Sequence, residues 1–171
     1  MKGFDPGHYA NANIGPGPYR EGNVMLNMAL ALQKEYDCFL TRTNGMNFDL
    51  KQRAEKAKSC DTLISLHTNA PEAAKGIIIF YSVQRPEDKA LAEQLGHELS
   101  KATGIPFRAA KTRSFKSDPN TDYYGIIRES VKLGIPYVFI NQCLRCFNHL
   151  TPSYRIGVCV LLTCVCLFCL S

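Results

Sequence analysis

Three apolar runs spaced along the chain constrain its fold more than any other feature. Two of them, GIIIFYS at 76–82 and IPYVFI at 135–140, are typical of buried strands, and the third, DTLISLHTNA at 61–70, reads as a strand that runs into a loop. Shorter strands are predicted at MKGF (1–4) and DCFLTRT (37–43). Strands of this kind, separated by helical segments, predict an α/β fold in which helices flank a mixed, mostly parallel β-sheet.

Four segments between these strands have helical character. Residues 85–104 form the clearest one, with Pro86 in the first turn and Ala90, Leu91, Leu95 and Leu99 on one face. The other three are residues 23–36, 49–59 and 122–134. Two further segments, 5–22 and 105–121, are predicted to be mostly loop because Gly, Pro, Asn and charged residues dominate them.

Length and composition limit the class of protein. A chain of 171 residues with 46% hydrophobic and 20% charged residues is one globular domain, and we expect a monomer. The net charge of +5, without a long basic run, falls short of a nucleic-acid-binding footprint. No apolar segment opens the chain, so no secretory signal is predicted and we expect synthesis in the cytoplasm.

Two histidines and one carboxylate follow predicted strands or precede a helix. His8 and His67 come after strands, and Glu21 lies just before the first helix. Ligand sites in α/β proteins form at the carboxyl ends of strands. Two imidazoles and a carboxylate make a three-ligand set for Zn²⁺ that leaves a fourth position open, and Asp5 is placed to orient an imidazole. A single histidine is more often structural than a ligand, so spacing alone leaves this site a hypothesis.

The surrounding motifs carry a resemblance. In chain order they are DPGH at 5–8, EGNVMLNMALAL at 21–32, FLTRT at 39–43, LKQRAEKA at 50–57 and DTLISLHTNA at 61–70. Together they resemble the zinc-dependent N-acetylmuramoyl-L-alanine amidases, the cell-wall hydrolases of bacterial autolysins, sporulation enzymes and phage endolysins. The resemblance runs from about residue 3 to residue 140. It implies an amidase-like fold in which His8, Glu21 and His67 are the ligands of Zn²⁺. Asp5 and Asn69 are then the residues that support and orient these ligands.

The same resemblance implies a reaction. The implied substrate is peptidoglycan, which is built of muropeptides, and the scissile bond is the amide between N-acetylmuramic acid and L-alanine. The enzyme would therefore act at the cell wall. Zn²⁺ polarises the carbonyl and lowers the pKa of water, while a carboxylate transfers the proton. An unrelated zinc peptidase or deacetylase is disfavoured by the ordered set of motifs.

The proton-transferring carboxylate of that family is missing here. The family has Glu directly after its last apolar strand, where this chain has Asn141 after IPYVFI. An amide is neither an acid nor a base at neutral pH. Glu129 lies within a predicted helix as a solvated residue and does not replace it. Two functions therefore stay open: a zinc-dependent amidase with impaired turnover, or a catalytically inactive zinc-cleft module that binds or regulates the cell wall.

The end of the chain departs from the rest. We assign 1–141 to the catalytic domain and 142–171 to an anomalous tail, which holds six of the eight cysteines and is apolar from Ile156 to Leu170. Four origins are open: a zinc ribbon on Cys143, Cys146, Cys166 and Cys169; a membrane anchor; a buried last helix; or out-of-frame translation, which we favour. An anchor is disfavoured because the apolar run spans only about 22 Å as a helix, against a hydrocarbon core of about 30 Å.

Overall fold

The computed structural model describes residues 1–15, 17–69 and 76–143, and of Asn69, Gln142 and Cys143 it describes the backbone alone. Strands and helices alternate along this part of the chain. Their order is β1 Lys2–Pro6, α1 Glu21–Glu35, β2 Phe39–Leu40, α2 Leu50–Lys56, β3 Thr62–Asn69, β4 Ile77–Phe80, α3 Asp88–Thr103, β5 Phe107–Lys111, β6 Ser114–Phe115, β7 Asp118–Asp122, α4 Gly125–Lys132 and β8 Tyr137–Cys143.

A six-stranded sheet in the order β2-β1-β3-β8-β4-β5 forms the centre of the molecule. All neighbours in it are parallel except β4 and β8, which are antiparallel. The predicted α/β class with a mixed, mostly parallel sheet is therefore confirmed. The carboxyl ends of β1, β3 and β8 meet at one edge of the sheet, the kind of edge where α/β proteins place ligand sites.

Helices cover both faces of the sheet. On one face α1 and α3 pack on a core that includes Met25, Leu32, Leu95 and Val138. On the other face lie α2 and α4, with a second apolar core that includes Leu63, Ile127, Tyr137 and Phe139. Successive residues of β8 alternate between these two cores, as the pleat of a strand requires. Side chains at odd positions from Leu63 to His67 and from Tyr137 to Asn141 therefore face α2 and α4.

Three details differ from the sequence-based prediction. The segment 105–121 contains β5 and a two-stranded hairpin of β6 and β7, where mostly loop was predicted. The buried face of α3 includes Ala92 instead of Ala90, which is exposed. The last strand continues beyond Ile140 to Cys143, paired with β3 on one side and with β4 on the other as far as Gln142.

The proposed identities of the tail lie mostly outside the described residues. Of the tail only the backbone of Gln142 and Cys143, at the end of β8, is described, so the zinc ribbon, the anchor, the buried helix and the frame change remain predictions. Within residues 1–15, 17–69 and 76–143, none of the helices has the length and apolarity needed to span a membrane.

Candidate metal centre

Three strand or helix ends bring the predicted donor residues together. His8 lies in the loop after β1, His67 lies near the end of β3, and Glu21 is the first residue of α1. Their ligand atoms all lie within 4.8 Å of one another. Glu21 is central: one carboxylate oxygen is 3.0 Å from His67 Nδ1 and the other is 3.5 Å from His8 Nε2. The side chains predicted from the sequence to form a site therefore do meet.

Donors that the sequence did not identify hold Glu21 in place. The backbone N–H of Thr68 donates to Glu21 Oε1 at 2.8 Å, and the Asn13 amide donates to Glu21 Oε2. The same Asn13 nitrogen is 3.3 Å from His8 Nε2. Asn13 has a left-handed backbone (φ 56°), a conformation that Asn tolerates better than most residues. The Asn-rich sequence of the loop before α1 indicated such a turn. The contact between Asn13 and the Glu21 carboxylate was not predictable from spacing.

These contacts favour the protonation states that metal ligands need. Burial lowers the pKa of His8, and the nearby His67 and Arg53 act in the same direction while Glu21 opposes them. Burial alone would raise the pKa of Glu21, but the hydrogen bond with His67, the charge of that histidine and the Thr68 N–H outweigh it and lower the pKa. The result is a neutral imidazole beside an ionised carboxylate, which are the forms that bind metal ions.

Two buried arginines fix the loop that carries His8, whose backbone is also left-handed (φ 59°). Arg53 donates to the carbonyls of Pro6, at 2.8 Å, and of His8. Arg42 donates to the carbonyls of Pro6 and Gly7 at 3.1 Å each, and to Gly22 of α1 at 2.7 Å. Both side chains are at most 3% exposed. These arginines tie the loop after β1 to the start of α1, and so fix His8 relative to Glu21.

Asp5 helps to hold the same loop, because it binds Arg53. Its carboxylate accepts hydrogen bonds from Thr41 Oγ1 (2.6 Å), Ser65 Oγ (2.9 Å) and Arg53 Nη1 (3.0 Å). None of its described hydrogen bonds goes to an imidazole, so Asp5 reaches His8 through Arg53. This differs from the direct orienting contact that the sequence suggested. The side chain of Asn69, the other predicted supporting residue, lies outside what the structure describes.

Two glycines allow the close approach of these segments. A β-carbon at Gly7 would lie 2.6 Å from both His67 Nε2 and the Leu66 carbonyl oxygen. A β-carbon at Gly22 would overlap the carbonyl oxygen of Tyr9, which is backbone and cannot rotate away. The Gly after Glu21 is therefore required by the packing of the loop on α1.

A stacked ring and an amide complete the wall beside His67. Phe139 of β8 lies parallel to the His67 imidazole, with ring centroids 4.3 Å apart at 14°. Asn141 pairs with His67 in the register of β3 and β8, so both side chains start from the same face of the sheet. Its Oδ1 atom is buried and has no hydrogen-bond partner among the described residues. This oxygen can accept a hydrogen bond from a bound group.

A cleft of about 530 Å³ opens from the two histidines toward the face of α2 and α4. Its lining is mostly apolar, with Phe48, Leu50, Tyr124 and Phe139 beside His8 and His67. Such a lining around a few convergent polar groups is typical of a ligand site. Glu129 lies elsewhere, on α4, where its side chain is 23% exposed and pairs with Lys132 Nζ at 2.7 Å.

The donor set and its surroundings fit Zn²⁺. Two imidazole nitrogens and one carboxylate oxygen are the ligands that zinc uses in hydrolases, and three protein ligands leave a position for substrate or water. An α/β domain with this cluster at the carboxyl edge of its sheet has the make-up of a metal-dependent hydrolase.

The sequence from residue 3 to residue 142 matches the model of the N-acetylmuramoyl-L-alanine amidase family. The chain therefore belongs to this family of hydrolases, which act on an amide bond of peptidoglycan, and action at the cell wall follows from that membership. A search of curated proteins found no match to the sequence.

Solved structures share the fold. Cwp6 from Clostridium difficile is 20% identical with a TM-score of 0.77 over 96% of this chain, which spans 28% of Cwp6. The catalytic domain of CwlV, an N-acetylmuramoyl-L-alanine amidase from Bacillus (Paenibacillus) polymyxa, is 20% identical with a TM-score of 0.75 over 98% of this chain and 97% of that domain. The amidase AmiC2 of Nostoc punctiforme is 17% identical with a TM-score of 0.74, covering 99% of this chain and 97% of its own.

Proposed function

We propose that the chain is a zinc-dependent amidase with slow turnover, acting on the bond between N-acetylmuramic acid and L-alanine of peptidoglycan. The observation that carries the proposal is the convergence of His8, Glu21 and His67, whose ligand atoms lie within 4.8 Å of one another. Bound there, Zn²⁺ supplies a Lewis acid that polarises an amide carbonyl and lowers the pKa of water.

The chain's own residues provide the binding part of the reaction. Burial favours the neutral form of His8, the contacts of Glu21 with His67 and the Thr68 N–H favour its ionised form, and Phe139 fixes the plane of His67. The cleft beside them is lined by apolar side chains, so a peptide bond in it would be partly shielded from water. These features support binding and orientation of an amide substrate.

Proton transfer is the part that the site lacks. Asn141 starts beside His67 on the same face of the sheet, where the family resemblance places a glutamate. Its buried Oδ1 atom can accept a hydrogen bond but cannot take a proton from water. General acid–base catalysis contributes about 10²–10⁴-fold to the rate. We therefore expect hydrolysis to be slower by that factor than in an enzyme with glutamate at this position. If turnover is absent altogether, the same geometry supports the alternative function, a zinc-cleft module that binds or regulates the wall.

Substituting position 141 tests this proposal. We expect the purified full chain to bind one equivalent of zinc and to release stem peptides from peptidoglycan slowly, and we expect Asn141→Glu to raise the rate by about 10²–10⁴-fold. Asn141→Gln is the matched control, because it has the length of glutamate without its charge, and it should stay slow. His67→Ala should lose zinc.

Each part of the proposal can fail separately. Absence of bound zinc in the wild type would refute the metal assignment. A wild-type rate equal to that of Asn141→Glu would refute the impairment. A zinc-loaded wild-type protein without any release, beside an active Asn141→Glu variant, would favour the inactive module.

A further inference from the structure

The β6–β7 hairpin exposes two aromatic rings beside two arginines. Phe115 is 37% exposed and Tyr123, directly after β7, is 43% exposed, with ring centroids 5.5 Å apart. We call Arg113, Phe115, Tyr123 and Arg128 the hairpin platform. Exposed aromatic side chains that cluster are unusual on a soluble surface and mark binding sites more often than isolated ones do.

The arginines hold these rings in place. The guanidinium carbon of Arg113 is 3.8 Å from the Tyr123 ring centroid, and that of Arg128 is 5.4 Å from the Phe115 centroid. Arg128 also donates to the backbone carbonyls of Asp122 and Tyr123, at 2.7 and 2.9 Å. Rings that are fixed before binding lose little conformational entropy when a ligand stacks on them.

A row of rings connects the platform to the metal centre. Tyr123 contacts Tyr124 at 5.4 Å between centroids, Tyr124 stacks on Phe139 at 4.6 Å, and Phe139 stacks on His67 at 4.3 Å. Tyr124 and Phe139 also line the cleft that opens from the histidines. A continuous row of ring contacts therefore joins the platform to the wall of the metal centre.

The charge around the platform is positive. Between Arg108 and Arg128 the chain has five Lys or Arg residues and two acids, of which Asp122 is buried and bound to Ser82 and the N–H of Val83. The other acid, Asp118, accepts hydrogen bonds from Thr121 and the N–H of Asn120 within the hairpin. The exposed cations are thus available to carboxylates of a ligand.

We propose that the hairpin platform binds the glycan strand of peptidoglycan. Sugar rings would stack their C–H faces on Phe115 and Tyr123, since aromatic faces carry negative charge and attract such hydrogens. Arg113 and Arg128 would pair with carboxylates of stem peptides along the strand. The identity of this ligand rests on the proposed function. The platform adds to it a strand-holding surface beside the centre that would cleave a stem peptide.

Binding without turnover tests the platform. The full chain in EDTA is sedimented with peptidoglycan sacculi stripped of accessory polymers, so the readout needs neither zinc nor hydrolysis. We expect the double variant Phe115→Ala/Tyr123→Ala to bind at least about 10-fold more weakly, from roughly 3- to 10-fold per lost ring. Tyr123→Phe, which keeps the ring, should bind like the wild type, and so should Leu133→Ala, which removes an equally exposed apolar side chain elsewhere.

Three outcomes would overturn the proposal: no sedimentation of the wild type, unchanged binding of the double variant, or loss of binding only when Arg113 and Arg128 are replaced. The last would indicate general attraction to polyanions. If the double variant does not fold, as judged by its melting curve in EDTA, competition on the wild type decides. Soluble oligomers of N-acetylglucosamine should release it from sacculi and polyphosphate should not, and the reverse would refute the proposal. Because binding is measured without metal throughout, these results can be interpreted even if the chain proves not to bind zinc.

Discussion

Replacing Arg53 with methionine tests how the loop that carries His8 is held. Methionine keeps a long apolar stem but removes all hydrogen-bond donors. In the native structure Arg53 is 3% exposed, and its Nη1 atom lies 3.0 Å from Asp5 Oδ1. The same side chain donates to the backbone carbonyls of Pro6, His8 and Phe48. The substitution leaves a buried carboxylate without its cation and removes donors from three carbonyls.

The loss of stability can be estimated from these contacts. Removing one partner of a buried ion pair typically destabilises a protein by about 3–5 kcal/mol. Asp5 keeps the hydroxyl donors of Thr41 and Ser65, and the Pro6 carbonyl keeps Arg42 Nε, so we expect a value near the lower end. A loss of about 3 kcal/mol corresponds to a fall in melting temperature of roughly 6–12 °C for a chain of this length.

Urea unfolding in EDTA and reductant measures this free energy without the contribution of bound metal. Lys51→Met is the matched control, because Lys51 lies on the same helix and is exposed. The partner variant Asp5→Asn completes a double-mutant cycle, in which we expect a coupling energy of at least about 1 kcal/mol. A loss below about 1 kcal/mol for Arg53→Met, or additive effects of the two variants, would show that the pair does not hold the loop.

Three further predictions concern the metal centre. Gly22→Ala should lower zinc affinity at least about 10-fold, because its methyl group would displace the Tyr9 carbonyl and with it the loop of His8; isothermal titration measures this, and an unchanged affinity would contradict the packing argument. Phe139→Leu should weaken zinc binding by a smaller factor, roughly 3- to 10-fold, since aromatic stacking on His67 is lost while the site stays apolar, and Phe139→Tyr should preserve it. Removing zinc with a chelator should lower the melting temperature of the wild type, by an amount equivalent to about 2.7 kcal/mol if zinc was present at 100 times its Kd, and it should leave His67→Ala unaffected.

The sequence was informative about the fold wherever burial sets the pattern of residues. Runs of branched apolar residues fixed β3, β4 and β8 to within a few positions, and the apolar spacing of α3 was clear. The β6–β7 hairpin was missed because its strands are short and largely exposed, so their polar residues resemble those of a loop. The end of β8 was missed for a related reason: Asn141 and Gln142 are polar, yet neighbouring strands pair with them on both sides.

The candidate metal ligands were predictable from the sequence, but most of the residues that hold them in position were not. The chemistry of His8, Glu21 and His67 is visible in a sequence, and strand ends indicated where they meet. The roles of Arg42 and Arg53 were not, because their partners are backbone carbonyls, which have no sequence signature. One signal for Arg53 did exist: it adjoins Ala54 and lies four residues before Ala57, and both alanines are fully buried.

The position of Asn141 in a central strand bears on how this domain can evolve. Its backbone is held by hydrogen bonds to β3 and β4, and these do not depend on which side chain the residue carries. Under the function proposed above, exchange at this codon would alter the chemistry at the candidate metal centre and leave the pairing of the strands unchanged. A change in hydrolysis would then be separable from a change in folding.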